Sequence, residues 1–352
     1  MLKHKSIIFT GGIIGILSVL LVKLGNPGNM GICVACFIRD IAGALGLHRA
    51  GVVQYIRPEI IGFIIGAMII SLIKKEFRAR GGSSPFIRFI LGFFVMIGAL
   101  VFLGCPLRLI LRLASGDLNA ILGLVGFTVG IWIGTHFLRK GFTLGRNYSQ
   151  SKANGFALPI ISIGLLILLL AKPTFIFFSE KGPGAAHAPL LIALGAGLLV
   201  GALAQRSRMC LAGGIRDVFL IKDIHLLAGF ISIFVVALIA NSFFGFFNLS
   251  FVDQPISHTD AIWNFLGMLL AGFAAVLLGG CPLRQTIMAG EGDTDAAITF
   301  MGLLVGAAFA HNFSLAATPA GVGFNGKLAV IIGIIVVLSI AISNIKSIKK
   351  LN

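Results

Sequence analysis

The sequence predicts an all-α polytopic membrane protein of about ten spans, built as inverted repeats with four short re-entrant elements. Three observations carry that expectation. Of 352 residues, 57% are hydrophobic and only 11% charged, with mean hydropathy +1.03; a soluble domain carries about 25% charged residues. The 46 glycines suit helices that approach closely in lipid, where small residues let backbones meet. Finally, Gly-Cys-Pro-Leu-Arg is written twice, at 104–108 and at 280–284. Each copy is followed by Gly-Asp (Gly116-Asp117 and Gly292-Asp293), so the cysteines and the aspartates are both offset by 176. A second pair of segments, Cys33 to Ile38-Arg39-Asp40 and Cys210 to Ile215-Arg216-Asp217, repeats at an offset of 177. Four of the five cysteines therefore lie at repeat-equivalent positions, which suggests that they line one pathway.

The elements follow in order. The basic start, Met1 to Lys5, precedes an apolar run over 6–24. No small-residue cleavage site closes that run, so it is expected to be an uncleaved first span. Gly25-Asn-Pro-Gly-Asn29 breaks the helix, and 31–47, apolar but carrying Arg39 and Asp40, is expected to be re-entrant. Spans follow at 58–72, 85–103 and 119–137. The segment 106–115 is too short and too basic to cross, with Arg108 and Arg112. The fifth span is 156–171 and the sixth 189–204, with a polar re-entrant stretch at 205–219. The remaining spans are expected at 227–240, 262–279 (ending at Cys281-Pro282), 295–313 and 328–343.

Charge sets the expected orientation. Lys74, Lys75, Arg78, Arg80 and Arg88, then Arg139, Lys140, Arg146 and Lys152, then Lys346, Lys349 and Lys350 mark cytoplasmic segments, while loop 241–260 has no Lys or Arg and faces outside. Both termini are then cytoplasmic. Spans 1–4 match spans 6–9, and a shift of five spans reverses direction, so the repeats are inverted. The expected organisation is 1–138 as the first repeat, 139–188 as a linker with span 5, 189–313 as the second repeat, and 314–352 as an appended span 10 with a cytoplasmic tail. Transporters of this plan place their site where broken helices of the two halves meet. The net charge of +16 is partly positive-inside bias and also suits an anionic substrate. Nucleic acid is a poor partner for a chain with so few soluble residues.

In Gly-Cys-Pro-Leu-Arg the proline suits the first helical position, where its missing N–H costs nothing. That makes Cys105 and Cys281 N-caps of half-helices, whose free N–H groups and partial positive charge suit an anion. Their thiols would lie beside it as weak donors. The plainer alternative for any one cysteine is a small buried hydrophobe. Arg39–Asp40 and Arg216–Asp217 fit internal pairs that hold the re-entrant turns. Asp117 and Asp293 fit helix caps. Arg108 and Arg284, one turn past each cysteine, either draw anions in or pair with those caps. Cys36 matches Gly213 in the other repeat, which makes its case weaker than that of Cys33. The histidines show no ligand spacing, and neither a metal nor a cofactor is expected.

These motifs resemble the YeeE/YedE family of membrane transporters. The paired Gly-Cys-Pro-Leu-Arg and Cys…Ile-Arg-Asp elements carry the resemblance over nearly the whole chain. The run from Gly25 through Cys33 and Cys36 to Asp40 resembles the YedE branch, associated with selenium metabolism; better-understood relatives take up thiosulfate. The resemblance implies an inner-membrane, hourglass-like inverted-repeat fold in which cysteines hand a sulfur-containing anion along a narrow central path by S–H···S contacts. By motif those cysteines fall on Cys105, Cys281 and Cys210, with Cys33 and Cys36 added here. It also implies a small cytosolic sulfur-carrier protein as partner.

The expected function is thus uptake, by transporter or channel and not by an enzyme, of a small selenium- or sulfur-containing anion. The alternative is a membrane thiol-disulfide oxidoreductase using Cys33–Cys36, although no quinone or haem site is recognisable. A nonspecific anion channel is a third reading.

Overall fold

The computed structural model describes residues 4–345; the basic Lys346, Lys349 and Lys350 lie outside the described residues. Among the described residues, nine helical stretches are long and apolar enough to cross a membrane. They are α1 (Lys5–Lys23), α4 (Pro85–Val101) running on into α5 (Pro106–Ala114), α6 (Asn119–Arg139), α7 (Lys152–Ala171), α8 (Leu190–Ser207) running on into α9 (Leu211–Ile221), α10 (His225–Phe244), α11 (Ala261–Leu278) running on into α12 (Pro282–Gly290), α13 (Thr294–Asn312) and α14 (Phe324–Ser343). The tenth expected span is α3 (Pro58–Ile73), apolar but only 16 residues long. At about 1.5 Å per residue it falls short of a bilayer core of about 30 Å. The chain in front of it, from 45 to 57, is non-helical and is buried over 53–57.

The protein is an all-α polytopic membrane protein. The only sheet among the described residues is a two-residue antiparallel pair, Arg80–Gly81 with Tyr148–Ser149. The four short elements expected from sequence are helices of 9–11 residues: α2 (Val34–Ala44), α5, α9 and α12. Proline at the first turn starts α5 and α12, and both are followed by a glycine with positive φ, Gly116 and Gly292. A left-handed residue there ends a helix at little steric cost only if it is glycine.

Helices of the first half pack chiefly on helices of the second. α1 lies on α10 and α3 on α8; α4 lies on α13 and α6 on α11. Glycines explain how close these pairs come. A Cβ on Gly126 or Gly130 of α6 would sit 2.1 Å from the carbonyl oxygens of Phe265 and Leu269 on α11. At the repeat-equivalent places on α13, a Cβ on Gly302 or Gly306 would lie 2.2 and 2.8 Å from the carbonyl oxygens of Phe89 and Phe93 on α4. The short helices sit inside this frame: α5 and α9 against α10, α2 against α13, and α12 against α3 and α13.

Candidate functional site: two buried thiol groups at half-helix N-termini

All four repeat-equivalent cysteines are helix N-caps: Cys33 of α2, Cys105 of α5, Cys210 of α9 and Cys281 of α12. Each has extended backbone, which turns the chain into the helix and leaves the first N–H groups free. Cys33 and Cys210 also cap with sulfur, accepting from the N–H of Cys36 at 3.4 Å and of Gly213 at 3.2 Å. That role was not legible in the sequence, because no proline follows these two cysteines to mark the helix start.

The thiols form two groups. In the first, Cys33 Sγ lies 3.0 Å from Cys36 Sγ and 3.7 Å from Cys105 Sγ. Arg108 reaches into this group, with Nη1 3.6 Å from Cys36 Sγ. Its Nη2 donates to Asn29 Oδ1 at 2.7 Å and to the carbonyls of Pro255 at 3.3 Å and Ile256 at 3.0 Å, and Nη1 donates to the Leu103 carbonyl. In the second group, Cys210 and Cys281, the N-caps of α9 and α12, lie beside each other. A Cβ on Gly213 would sit 3.2 Å from Cys210 Sγ, so the position matching Cys36 has little room for a side chain. All five cysteines are free and buried.

The charged residues divide into pairs. Arg39 meets Asp40 at 2.7 Å and Arg216 meets Asp217 at 2.8 Å, the internal pairs expected from sequence. Asp293 caps α13, accepting from the Ala296 N–H at 2.9 Å. Asp117 sits one residue before the cap Leu118, accepts from the Asn119 N–H at 3.0 Å and pairs with Arg112 at 2.7 Å. Arg284 pairs not with Asp293 but with Glu291, at 2.9 Å. Glu291 also holds Arg208, which in turn holds Glu76, each at 2.8 Å. These residues border a cavity of about 280 Å³ lined by Glu76, Arg78, Arg80, Arg208, Glu291 and Asp293.

Sequence reasoning missed Arg57, whose guanidinium is fully buried 2.7 Å from Asp40, on the carboxylate that Arg39 also uses. It missed Asn29, Glu291 and the Arg112–Asp117 pair as well. An arginine directly before Pro58 in an apolar context was the one available signal for Arg57. Among the described residues, no group of three or more His, Cys, Asp or Glu side chains is arranged to hold a metal ion.

Spans, broken helices and buried thiols at their N-termini define the class: a multi-pass membrane protein with five free cysteines buried in its interior. Residues 206–344, which hold Cys210, Arg216, Asp217, Cys281 and Arg284, match the family model described as Sulphur transport. The thiosulfate transporter TsuA of Spirochaeta thermophila is 33% identical over 109 residues, 30% of this chain and 32% of that protein. The chain thus matches about a third of the length of this curated relative. Both matches agree with the resemblance to the YeeE/YedE transporters that the motifs carry.

Proposed function

We propose that the protein takes up a small sulfur- or selenium-containing anion across the inner membrane, by way of Cys33, Cys36 and Cys105 and then Cys210 and Cys281. The observation that carries this reading is the gathering of all five buried thiols into two groups at half-helix N-termini. There, a helix dipole and weak S–H donors act on the same passing anion. The halves 1–138 and 189–313 are inverted repeats joined by 139–188, with 314–352 appended. Both termini are cytoplasmic, and the first thiol group is entered from outside. The exchange of helix partners between halves supports this plan. Arg39, Asp40, Arg216 and Asp217 hold the re-entrant turns. A small cytosolic sulfur-carrier protein receives the anion, a step supported by the family resemblance.

Uptake into proteoliposomes, normalised to monodisperse protein, tests the reading. Cys105→Ala and Cys281→Ala each nearly abolish uptake, and the two losses do not add, since either gap interrupts a single-file path. The volume removed is small, so stability falls by only about 1 kcal/mol. Near-normal uptake in either variant would make these cysteines packing residues. Cysteine-to-serine variants separate a sulfur-dependent path from a general anion channel, which would keep its flux.

A further inference from the structure

We infer that Arg108 and Asn29 form the oxyanion-binding half of the first thiol group, with Cys33, Cys36 and Cys105 holding the other, oxygen-free end of the same anion. The inference rests on the transport reading above and narrows its substrate class.

The first observation is an unbalanced charge. Arg39, Arg57, Arg108 and Arg112 are all buried within the first half. Arg39 and Arg57 share Asp40, and Arg112 has Asp117. Arg108, with 0% exposure, has no carboxylate partner among the described residues. Its acceptors are three backbone carbonyls, the Asn29 amide oxygen and the Cys36 sulfur. Carbonyl dipoles disperse the charge of a guanidinium without cancelling it, and a buried cation without a counter-ion is costly in a membrane interior.

The second observation is independent of charge. Arg108 Nε and Asn29 Nδ2 are enclosed and have no acceptor among the described residues. Buried donors are rarely left so. Here two belong to side chains that touch each other at 2.7 Å, beside the N-termini of both α2 and α5. The two free donors, Arg108 Nε–H and the Asn29 N–H₂, beside a guanidinium whose charge is not cancelled, match an anion that carries several oxygens on one atom. The thiols, soft and weakly donating, match a sulfur or selenium atom that carries none. The site therefore takes an oxyanion with a terminal chalcogen, rather than a bare hydrosulfide-type anion.

The repeat-equivalent arginine is different. Arg284 already has Glu291 at 2.9 Å. An anion moving from the first group to the second meets a neutralised guanidinium, which favours release over retention.

Asn29→Asp tests the assignment. Asn29 has φ +46°, a conformation aspartate also tolerates, and its Oδ1 already accepts from Arg108. The new carboxylate becomes an internal counter-ion and competes with the incoming anion. We expect the variant to fold and the half-saturating concentration for labelled thiosulfate to rise tenfold or more. We also expect thiosulfate, but not hydrosulfide, to raise the thermal midpoint of the purified wild-type protein, and Asn29→Asp to lose that shift. If Asn29→Asp is not recovered, Arg108→Lys serves, since it keeps the charge but loses the free Nε–H; the same tenfold rise is expected. Unchanged half-saturation in the variant used overturns the assignment, as does equal protection by hydrosulfide. A wild-type protein that moves hydrosulfide or selenite but not thiosulfate also overturns it, while leaving chalcogen transport standing. A wild-type protein that moves none of the three overturns both.

Discussion

At the residue scale, the two copies of Gly-Cys-Pro-Leu-Arg are alike in backbone and unlike in electrostatics. Cys105 and Cys281 cap equivalent helices with nearly the same backbone, φ −80° and ψ 173° against φ −71° and ψ 169°. Their arginines part company. Arg108 is enclosed by neutral acceptors, whereas Arg284 is one end of an ionic chain through Glu291, Arg208 and Glu76. Arg284→Gln is therefore expected to reduce uptake several-fold at most, because Glu291 keeps Arg208 as its partner. Cys281→Ala is expected to reduce it far more. An equal loss in both, at equal expression, would show that charge rather than sulfur contact governs passage at the second group. Measured uptake rates of the two variants side by side decide this.

At the element scale, glycine spacing sets how near the helices come. Gly302 of α13 faces the Phe89 carbonyl as Gly126 of α6 faces that of Phe265. An added methyl at Gly302 has nowhere to go, because the obstacle is backbone. Gly302→Ala should destabilise the protein by about 1–3 kcal/mol, the usual range for overpacking. At Gly164 of α7 an added methyl would meet nothing within 4 Å, so Gly164→Ala should be neutral or slightly stabilising, by up to about 1 kcal/mol of helix propensity. Thermal unfolding in detergent reads both; a Gly302→Ala midpoint at or above that of Gly164→Ala would deny the close approach of α13 and α4.

At the scale of the whole molecule, the loop between α10 and α11 reaches back over the first thiol group. Pro255 and Ile256 give their carbonyls to Arg108, Ser257 accepts from Arg112 and donates to Asp117, and His258 Nε2 lies 2.8 Å from the Val101 carbonyl. A segment of the second half thus closes the site of the first. The proposed orientation puts this loop outside the cell. A cysteine placed at Asn248, in a variant otherwise active, should react with an impermeant maleimide on intact cells. Reaction only after permeabilisation would reverse the membrane orientation and, with it, the side from which the first thiol group is entered.

Local chemistry made most of the fold legible. Hydropathy over about 20 residues sets each span, proline after cysteine starts α5 and α12, and glycine ends them, so the ends of the spanning helices fall within four residues of expectation. The repeat offset likewise singled out four cysteines that all prove to be N-caps. Helix formation depends on neighbours in sequence, which is why these features could be read directly. What the tertiary structure decided is which buried charges have partners. Asn29 is 79 residues from Arg108 and Ile256 is 148 residues away, while Arg57 reaches Asp40 across the turn that precedes α3. In an apolar interior every polar group must find its partner within the protein, and that partner is set by packing of distant segments rather than by spacing along the chain. The motif therefore announced two equivalent arginines, and only the packed halves made one of them neutral and left the other facing sulfur with charge to spare.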